Sequence, residues 1–246
     1  MSAVLLLLSG CFSTDFFFFN PVPLDAYLLE SDLIPAAQIE EVTFTTSDGL
    51  VLYGVWAWQE QRESADTLVH FHGNRDNIDF HFDRIELYWS YGYNVFTFDY
   101  RGYGRSEGTP THDGVLLDGQ AALAAATEAA PSSDLWLHGT SLGSYVALNT
   151  AVDSPPLALI TEDLFSSVEN LIETNAAVNL PPAWLFEGDW DAQAAAARLH
   201  DVPWRLIHGD ADTYVLPSHA EWLYAAANDP KDLWLVPGGN HGPITN

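Results

Sequence analysis

The chain has 246 residues, 48% of them hydrophobic and 17% charged, which allows one sizeable core and argues against disorder and against a coiled coil. Eight Lys and Arg residues stand against 34 Asp and Glu residues, giving a formal net charge of −26. This balance excludes nucleic acid as a partner, because phosphate binding needs a basic surface. Salt would screen the self-repulsion of such a chain, so the composition favours a saline habitat over an incidentally acidic surface.

The N-terminus reads MSAVLLLLSGC, an apolar run that ends in Cys11, the only cysteine of the chain. Residues 8–11 (LSGC) resemble a bacterial lipobox, in which a signal peptidase leaves a cysteine to be lipidated. The resemblance predicts a signal peptide over residues 1–10, lipidation of Cys11, and export to the cell envelope with a membrane tether. The run is short and lacks a basic start, both of which an upstream start codon would explain. The alternative is an apolar arm that packs on the body.

Residues 11–40 are predicted to form an N-terminal arm, and residues 41–246 form one domain without an internal repeat. Alternation of period two on either side of Asp48 and Gly49 predicts a β-hairpin over residues 42–47 and 50–58. Short apolar runs typical of buried parallel strands follow at 67–71, 94–98, 134–137, 157–161, 204–207 and 233–236. Helical stretches lie between them at 80–91, 115–129, 142–153, 191–199 and 217–227.

This alternation predicts an α/β fold with a mostly parallel central sheet and helices on both faces. Residues 164–188 interrupt it with apolar and aromatic side chains, and the prolines at 181 and 182 would break any long helix there. We interpret this segment as a small cap inserted between two strands.

Residues 134–143 (DLWLHGTSLG) run from a predicted strand through the pattern G-x-S-x-G into a predicted helix. A tight strand-to-helix turn would hold Ser141 above the sheet, and glycine at 139 and 143 would allow close backbone approach. The helix N-terminus below the hydroxyl would favour developing negative charge. The pattern predicts Ser141 as a nucleophile; the alternative is a glycine-serine turn without chemistry.

A serine hydroxyl needs a base, and the base needs an acid to orient it. Asp212 follows the strand predicted at 204–207, and His241 follows the strand predicted at 233–236. The three residues therefore occur in the order Ser, Asp, His at strand ends, the order of the α/β-hydrolase fold. Asp210 is the rival acid, and we favour Asp212 because it lies farther from its strand.

An oxyanion hole requires two N–H groups directed at the developing charge. We expect one from the backbone of Leu142, which follows the nucleophile, and the other from Asn74 in the loop after residues 67–71. His70 and His72, with Asp76 nearby, suggest a zinc site as an alternative. They end a buried strand, however, and no further ligands follow at a recognisable spacing. We therefore expect neither a metal nor a cofactor.

With these residues placed, the chain resembles the compact α/β hydrolases related to fungal and animal α/β-hydrolase-domain proteins, among them the protein depalmitoylases. The resemblance covers about residues 40–242. Its motifs are FHGN at 71–74, FDYRGYGRSEGTPT at 98–111, HGTSLG at 138–143, HGDAD at 208–212 and NHG at 240–242. We interpret the second motif as scaffold in which Asp99 pairs with Arg101. Relatives usually continue past the histidine into a helix, whereas this sequence ends at Asn246.

The resemblance implies hydrolysis of a carboxylic ester or thioester through an acyl-enzyme, without a cofactor. The substrate would be a small-molecule ester or acyl compound, and the aromatic cap suggests an apolar acyl group. Two alternatives remain open. The same triad could serve a peptidase or amidase, or the fold could be a catalytically silent, envelope-anchored binding protein.

Overall fold

The computed structural model describes residues 18–174 and 188–243. Their strands are β1 (Asn20–Pro21), β2 (Ile39–Thr45), β3 (Val51–Ala57), β4 (Thr67–Phe71), β5 (Arg75–Asp76), β6 (Asn94–Phe98), β7 (Leu135–Thr140), β8 (Ala158–Glu162), β9 (Trp204–Gly209) and β10 (Lys231–Val236). Their α-helices are α1 (Phe82–Ser90), α2 (His112–Ala129), α3 (Leu142–Asp153), α4 (Val168–Thr174), α5 (Ala192–Arg198) and α6 (Ser218–Ala226).

Eight strands form one sheet in the order β10-β9-β8-β7-β4-β6-β3-β2, while β1 pairs with β5. Within the large sheet, β3 runs opposite to the other seven strands. Parallel neighbours need crossover connections, and helices supply each one from β4 to β10. The predicted mostly parallel sheet is confirmed.

The two faces of the sheet carry separate cores, because successive side chains of a strand point to opposite sides. Val69 and Phe96 face the larger core, which residues of α2, α3, α5 and α6 complete. Leu68 and Val95, each one residue earlier, face a smaller core completed by α1. The predicted helices on both faces are therefore confirmed, and this α/β sandwich holds the carboxyl ends of β4, β7, β8, β9 and β10 at one edge.

Element boundaries follow the sequence closely where hydrophobicity changes sharply. β4, β6 and α3 have the predicted limits, and Gly49 adopts φ 91° in the predicted hairpin turn. The strand before Ser141 extends three residues beyond its predicted end at 137. The reason is that Gly139 and Thr140 still pair with Thr161 and Glu162 of β8.

The predicted pair between Asp99 and Arg101 is wrong. The Arg101 guanidinium pairs with Asp118 of α2 and with Asp48 in the hairpin turn. The Asp99 carboxylate accepts a hydrogen bond from the Tyr27 hydroxyl and lies 3.2 Å from His72 Nε2. The side chains of Asp99 and Arg101 therefore have different partners, although one residue separates them in the sequence.

Two sequence predictions concern residues outside the described ranges. The signal peptide and Cys11 precede Phe18, and most of the predicted cap lies in residues 175–187. The described part of residues 164–188 contains α4. Among the helices of the described ranges, none is both long and apolar enough to cross a bilayer.

Candidate active site

Ser141 lies at the turn that joins β7 to α3, with φ 53° and ψ −115°. A positive φ is uncommon for a residue other than glycine and stores strain. The turn is so tight that only glycine fits at two positions near it. A Cβ at Gly139 would collide with the backbone of Gly143, and a Cβ at Gly143 would collide with the carbonyl of Phe71. The structure therefore places Ser141 at the sharp bend that the G-x-S-x-G pattern predicts.

The predicted acid and base lie in contact. Oδ2 of Asp212 is 2.7 Å from Nδ1 of His241. The other carboxylate oxygen accepts the backbone N–H groups of Tyr214 (2.7 Å) and Val215 (3.1 Å), so the buried side chain of Asp212 is fixed in place. The rival Asp210 is exposed and binds the N–H of Gly238 instead.

A cavity of about 580 Å³ contains both Ser141 and His241 in its wall. Gly73 and Asn74, from the loop after β4, line the same space. The remaining wall is mixed in character and comprises Arg75, Phe80, His81, Asp83, Arg84, Thr140 and Gly242. The Arg75 guanidinium lies 4.8 Å from the centre of the Phe80 ring, and its Nε lies 3.2 Å from the carboxylate of Asp76.

The two predicted oxyanion donors occupy different kinds of position. Leu142 is the first residue of α3, where a backbone N–H has no acceptor within the helix. Asn74 lies in the loop after β4, and three groups bind its side chain. Its Nδ2 donates to the carbonyl of Phe18, and its Oδ1 accepts from the Tyr103 hydroxyl (2.7 Å) and from the N–H of Asn20 (3.1 Å). The N-terminal arm thus helps to fix this loop.

The charges around the imidazole favour its protonated form. Burial disfavours the cation, but the hydrogen bond with Asp212 and the negative charges of Asp163 and Asp212 outweigh burial and raise the pKa of His241 above 6.5. The side chain is 28% exposed and faces the cavity. The arrangement suits a group that takes up a proton during a reaction and holds it briefly.

The family model of the serine aminopeptidases (S33) matches residues 62–186. The protein YfhR of Escherichia coli is 33% identical over 212 residues, which cover 82% of this chain and 73% of YfhR. The chain belongs to the serine aminopeptidase S33 family of hydrolases.

Other relatives agree with this family. The protein bem46 of Schizosaccharomyces pombe is 28% identical over 201 residues, covering 79% of this chain and 67% of bem46. The solved structure of the Pyrococcus furiosus esterase Pf2001 superposes with a TM-score of 0.75 at 22% identity, covering 93% of this chain and 91% of the esterase. The predicted α/β-hydrolase fold and the resemblance to the α/β-hydrolase-domain group are confirmed.

One acidic residue of this S33 hydrolase site was missed by the sequence reasoning. Asp163 follows β8, is fully buried, and places Oδ2 3.8 Å from Nδ1 of His241. Sequence did carry a signal, because Asp163 lies just past a predicted strand, as Asp212 does. In the described part of the chain, the ligand atoms near enough to share a cation belong to Asp163, Asp212 and His241, not to His70 or His72.

His70 and His72, the alternative zinc ligands, make hydrogen bonds within the protein. His70 belongs to a buried polar layer, and His72 contacts the loop after β4. His70 Nδ1 lies 3.0 Å from Nδ1 of His138, whose Nε2 lies 3.2 Å from the carboxylate of Glu162. His72 Nδ1 lies 2.7 Å from the carbonyl of Gly73. Burial lowers the pKa of His70 and His138, which favours the neutral form of both.

Glu162 connects this layer to the hydrolase site. Both of its carboxylate oxygens accept from Nη1 of Arg84 at 2.9 Å, and its carbonyl accepts the N–H of Ser141 at 2.8 Å. Burial opposes ionisation, but the contacts with His138 and Arg84 outweigh it and lower the pKa of Glu162 below 4.5. The ionic pair therefore supports the turn that carries Ser141.

Proposed function

We propose that this chain is a serine hydrolase that cleaves carboxylic ester or thioester bonds through an acyl-enzyme. Ser141 is the nucleophile, His241 the base and Asp212 the acid that orients the base. The observation that carries the proposal is that a strained serine and an acid-bound histidine, distant in sequence, line one cavity. A structural serine would need neither the strain nor the histidine.

The mechanism follows from these positions. With Nδ1 held by Asp212, Nε2 of His241 takes the proton from Ser141 Oγ as that oxygen attacks the carbonyl carbon. Negative charge then develops on the carbonyl oxygen, and the N–H groups of Leu142 and Asn74 stabilise it. When the tetrahedral intermediate collapses, His241 gives its proton to the leaving alcohol or thiol. Water then attacks the carbonyl of the acyl-enzyme while His241 takes its proton. The bond to Ser141 Oγ breaks, His241 returns the proton to that oxygen, and the carboxylic acid leaves.

A peptidase or amidase is the second candidate, favoured by the description of the family as serine aminopeptidases. The triad itself does not select the leaving group, because the same attack and proton transfers serve an amide. The polar and charged side chains in the cavity wall, among them Arg75, Asp83 and Arg84, are compatible with an acyl group that carries polar substituents.

The decisive experiment compares the parent with Ser141→Ala on p-nitrophenyl esters of increasing acyl length and on aminoacyl p-nitroanilides. We expect the parent to hydrolyse the esters and to react with a fluorophosphonate at Ser141, and the variant to do neither. Faster turnover of the anilides would favour the peptidase. Equal ester turnover by the two proteins would remove Ser141 as nucleophile, and a folded parent that fluorophosphonate does not label would favour the silent binding protein.

We further propose that Cys11 carries a lipid that tethers the enzyme to a bacterial cell envelope. The support is the sequence LSGC at residues 8–11. Expression in a bacterial host should send the parent, but not Cys11→Ser, into the detergent phase of a Triton X-114 extraction. Equal partitioning of both proteins would contradict the tether.

A further inference from the structure

Asp163 lies where three parts of the site meet. It follows β8 directly, and its N–H donates to the carbonyl of Ile207 in β9. One carboxylate oxygen accepts the N–H of Gly209 at the end of β9 (3.2 Å), and the other accepts the N–H of Gly242, the residue after His241 (2.5 Å). One side chain therefore joins the ends of two strands to the loop that carries the base.

The backbone of Asp163 is held in an unusual conformation. Its φ of 49° lies in the left-handed region, which residues other than glycine, asparagine and aspartate rarely adopt. Such conformations persist where the surroundings impose them, and they are concentrated at functional sites. Here the conformation directs a fully buried carboxylate toward the imidazole.

The imidazole of His241 has charged groups on more than one side. Asp212 lies at hydrogen-bond distance, and Asp163 lies 3.8 Å from the same nitrogen, too far for a hydrogen bond but close enough for a strong charge interaction. Other titratable groups near it are Glu162, Tyr214, whose ring contacts the imidazole, and His208, which lies between the two acids. The wall of the same cavity adds four charged or titratable residues: Arg75, His81, Asp83 and Arg84.

We propose that Asp163 is a second acid of this site, a positioning residue that fixes the His241 loop through Gly242 and stabilises the imidazolium formed when Ser141 is deprotonated. The inference rests on the proposed function. Asp212 sets the direction of the imidazole through a short bond, whereas Asp163 adds negative charge and anchors the backbone. A buried carboxylate with no partner would be costly; two backbone N–H donors compensate Asp163 at rest, and the imidazolium adds to them once it forms.

The test is Asp163→Asn, because asparagine tolerates the left-handed backbone, removes the charge and keeps one of the two acceptor oxygens. Its matched control is Asp210→Asn, which neutralises an exposed carboxylate that also binds a glycine N–H in the neighbouring loop. We expect kcat to fall by about 10- to 100-fold with little change in KM, as for loss of a charge near the reacting groups. The acid limb of the kcat/KM profile should move about one pH unit lower.

A purely structural role would lower activity without moving that limb. A second variant, Asp163→Gly, suits the same backbone and leaves space for a small anion. Added formate should raise its kcat/KM but not that of Asp210→Gly. The inference would be overturned if the acid limb of Asp163→Asn does not move and formate does not rescue Asp163→Gly. Labelling of Ser141 by fluorophosphonate would in that case still support the proposed function. A parent without esterase activity or labelling would overturn both.

Discussion

Oδ2 of Asp212 lies 2.7 Å from Nδ1 of His241, although 29 residues separate them in the sequence. The contact forms because β9 and β10 are parallel neighbours, so the loops that follow them meet at one edge of the sheet. With its partner on Nδ1, the imidazole lines the cavity that Ser141 also lines, and the proposed mechanism assigns proton transfer to Nε2. This relationship underlies the first two predictions.

Replacing Asp212 with asparagine should lower kcat on the order of 10⁴-fold, because an amide favours the wrong imidazole tautomer and cannot stabilise its cation. The measurement is steady-state hydrolysis of a p-nitrophenyl ester. Asp210→Asn is the matched control and should retain nearly full activity, since that exposed carboxylate binds the N–H of Gly238. The opposite ranking would make Asp210 the acid.

The pH dependence should reflect the raised pKa of His241. The base acts only as neutral imidazole, and the surrounding carboxylates favour the cation, so kcat/KM should rise with pH through a midpoint above 6.5. For stability the sign is opposite. The favourable interaction of the imidazolium is present below the unfolded pKa and is lost as pH rises through the folded value. An acid limb centred below 6 would contradict the charge arrangement.

The Tyr103 hydroxyl donates to the side chain of Asn74 at 2.7 Å and lies 3.1 Å from its carbonyl, so Tyr103→Phe should loosen the predicted oxyanion loop. We expect kcat to fall about 10-fold, less than the loss of an oxyanion donor itself, with KM little changed. Tyr91→Phe, at a 68% exposed side chain, is the matched control. If both variants keep full activity, the loop does not depend on this hydroxyl.

The strands and the serine turn could be predicted because their signals are local. The apolar run of β4 and the glycines at 139 and 143 act on neighbouring residues, so a window of ten residues contains the whole argument. The order of Ser141, Asp212 and His241 could be predicted because each follows a strand, and parallel strands end at one edge.

The ion-pair partners of the buried charged residues could not be found in this way. Arg84 and Glu162 are 78 residues apart, and their contact depends on how α1 lies against the sheet. The same holds for Asp99 and Arg101, whose proximity in sequence suggested a pair that the turn prevents. Long-range partners of charged groups are decided by packing, which a single sequence does not contain.

Breaking the buried pair between Arg84 and Glu162 should be costly. Arg84→Met leaves a buried carboxylate without its cation, and we expect a loss of about 3–5 kcal/mol in the free energy of unfolding. Arg198→Met is the matched control, since its pair with Asp153 is exposed on both sides and worth about 0–1 kcal/mol. Denaturant titrations measure both. Equal losses would mean that burial of the first pair does not matter.

Stability should increase with salt because the net charge of −26 makes the folded chain repel itself. The Debye length falls from about 30 Å at 0.01 M to about 3 Å at 1 M, so NaCl at molar concentration should screen most of the repulsion between exposed carboxylates. We expect Tm to rise by at least about 2–4 °C, equivalent to roughly 1 kcal/mol for a chain of this size. Chloride is preferred to sulfate, which also strengthens apolar burial. A Tm that stays constant across this range would show that the acidic surface does not limit stability, and the saline habitat would lose its physical basis.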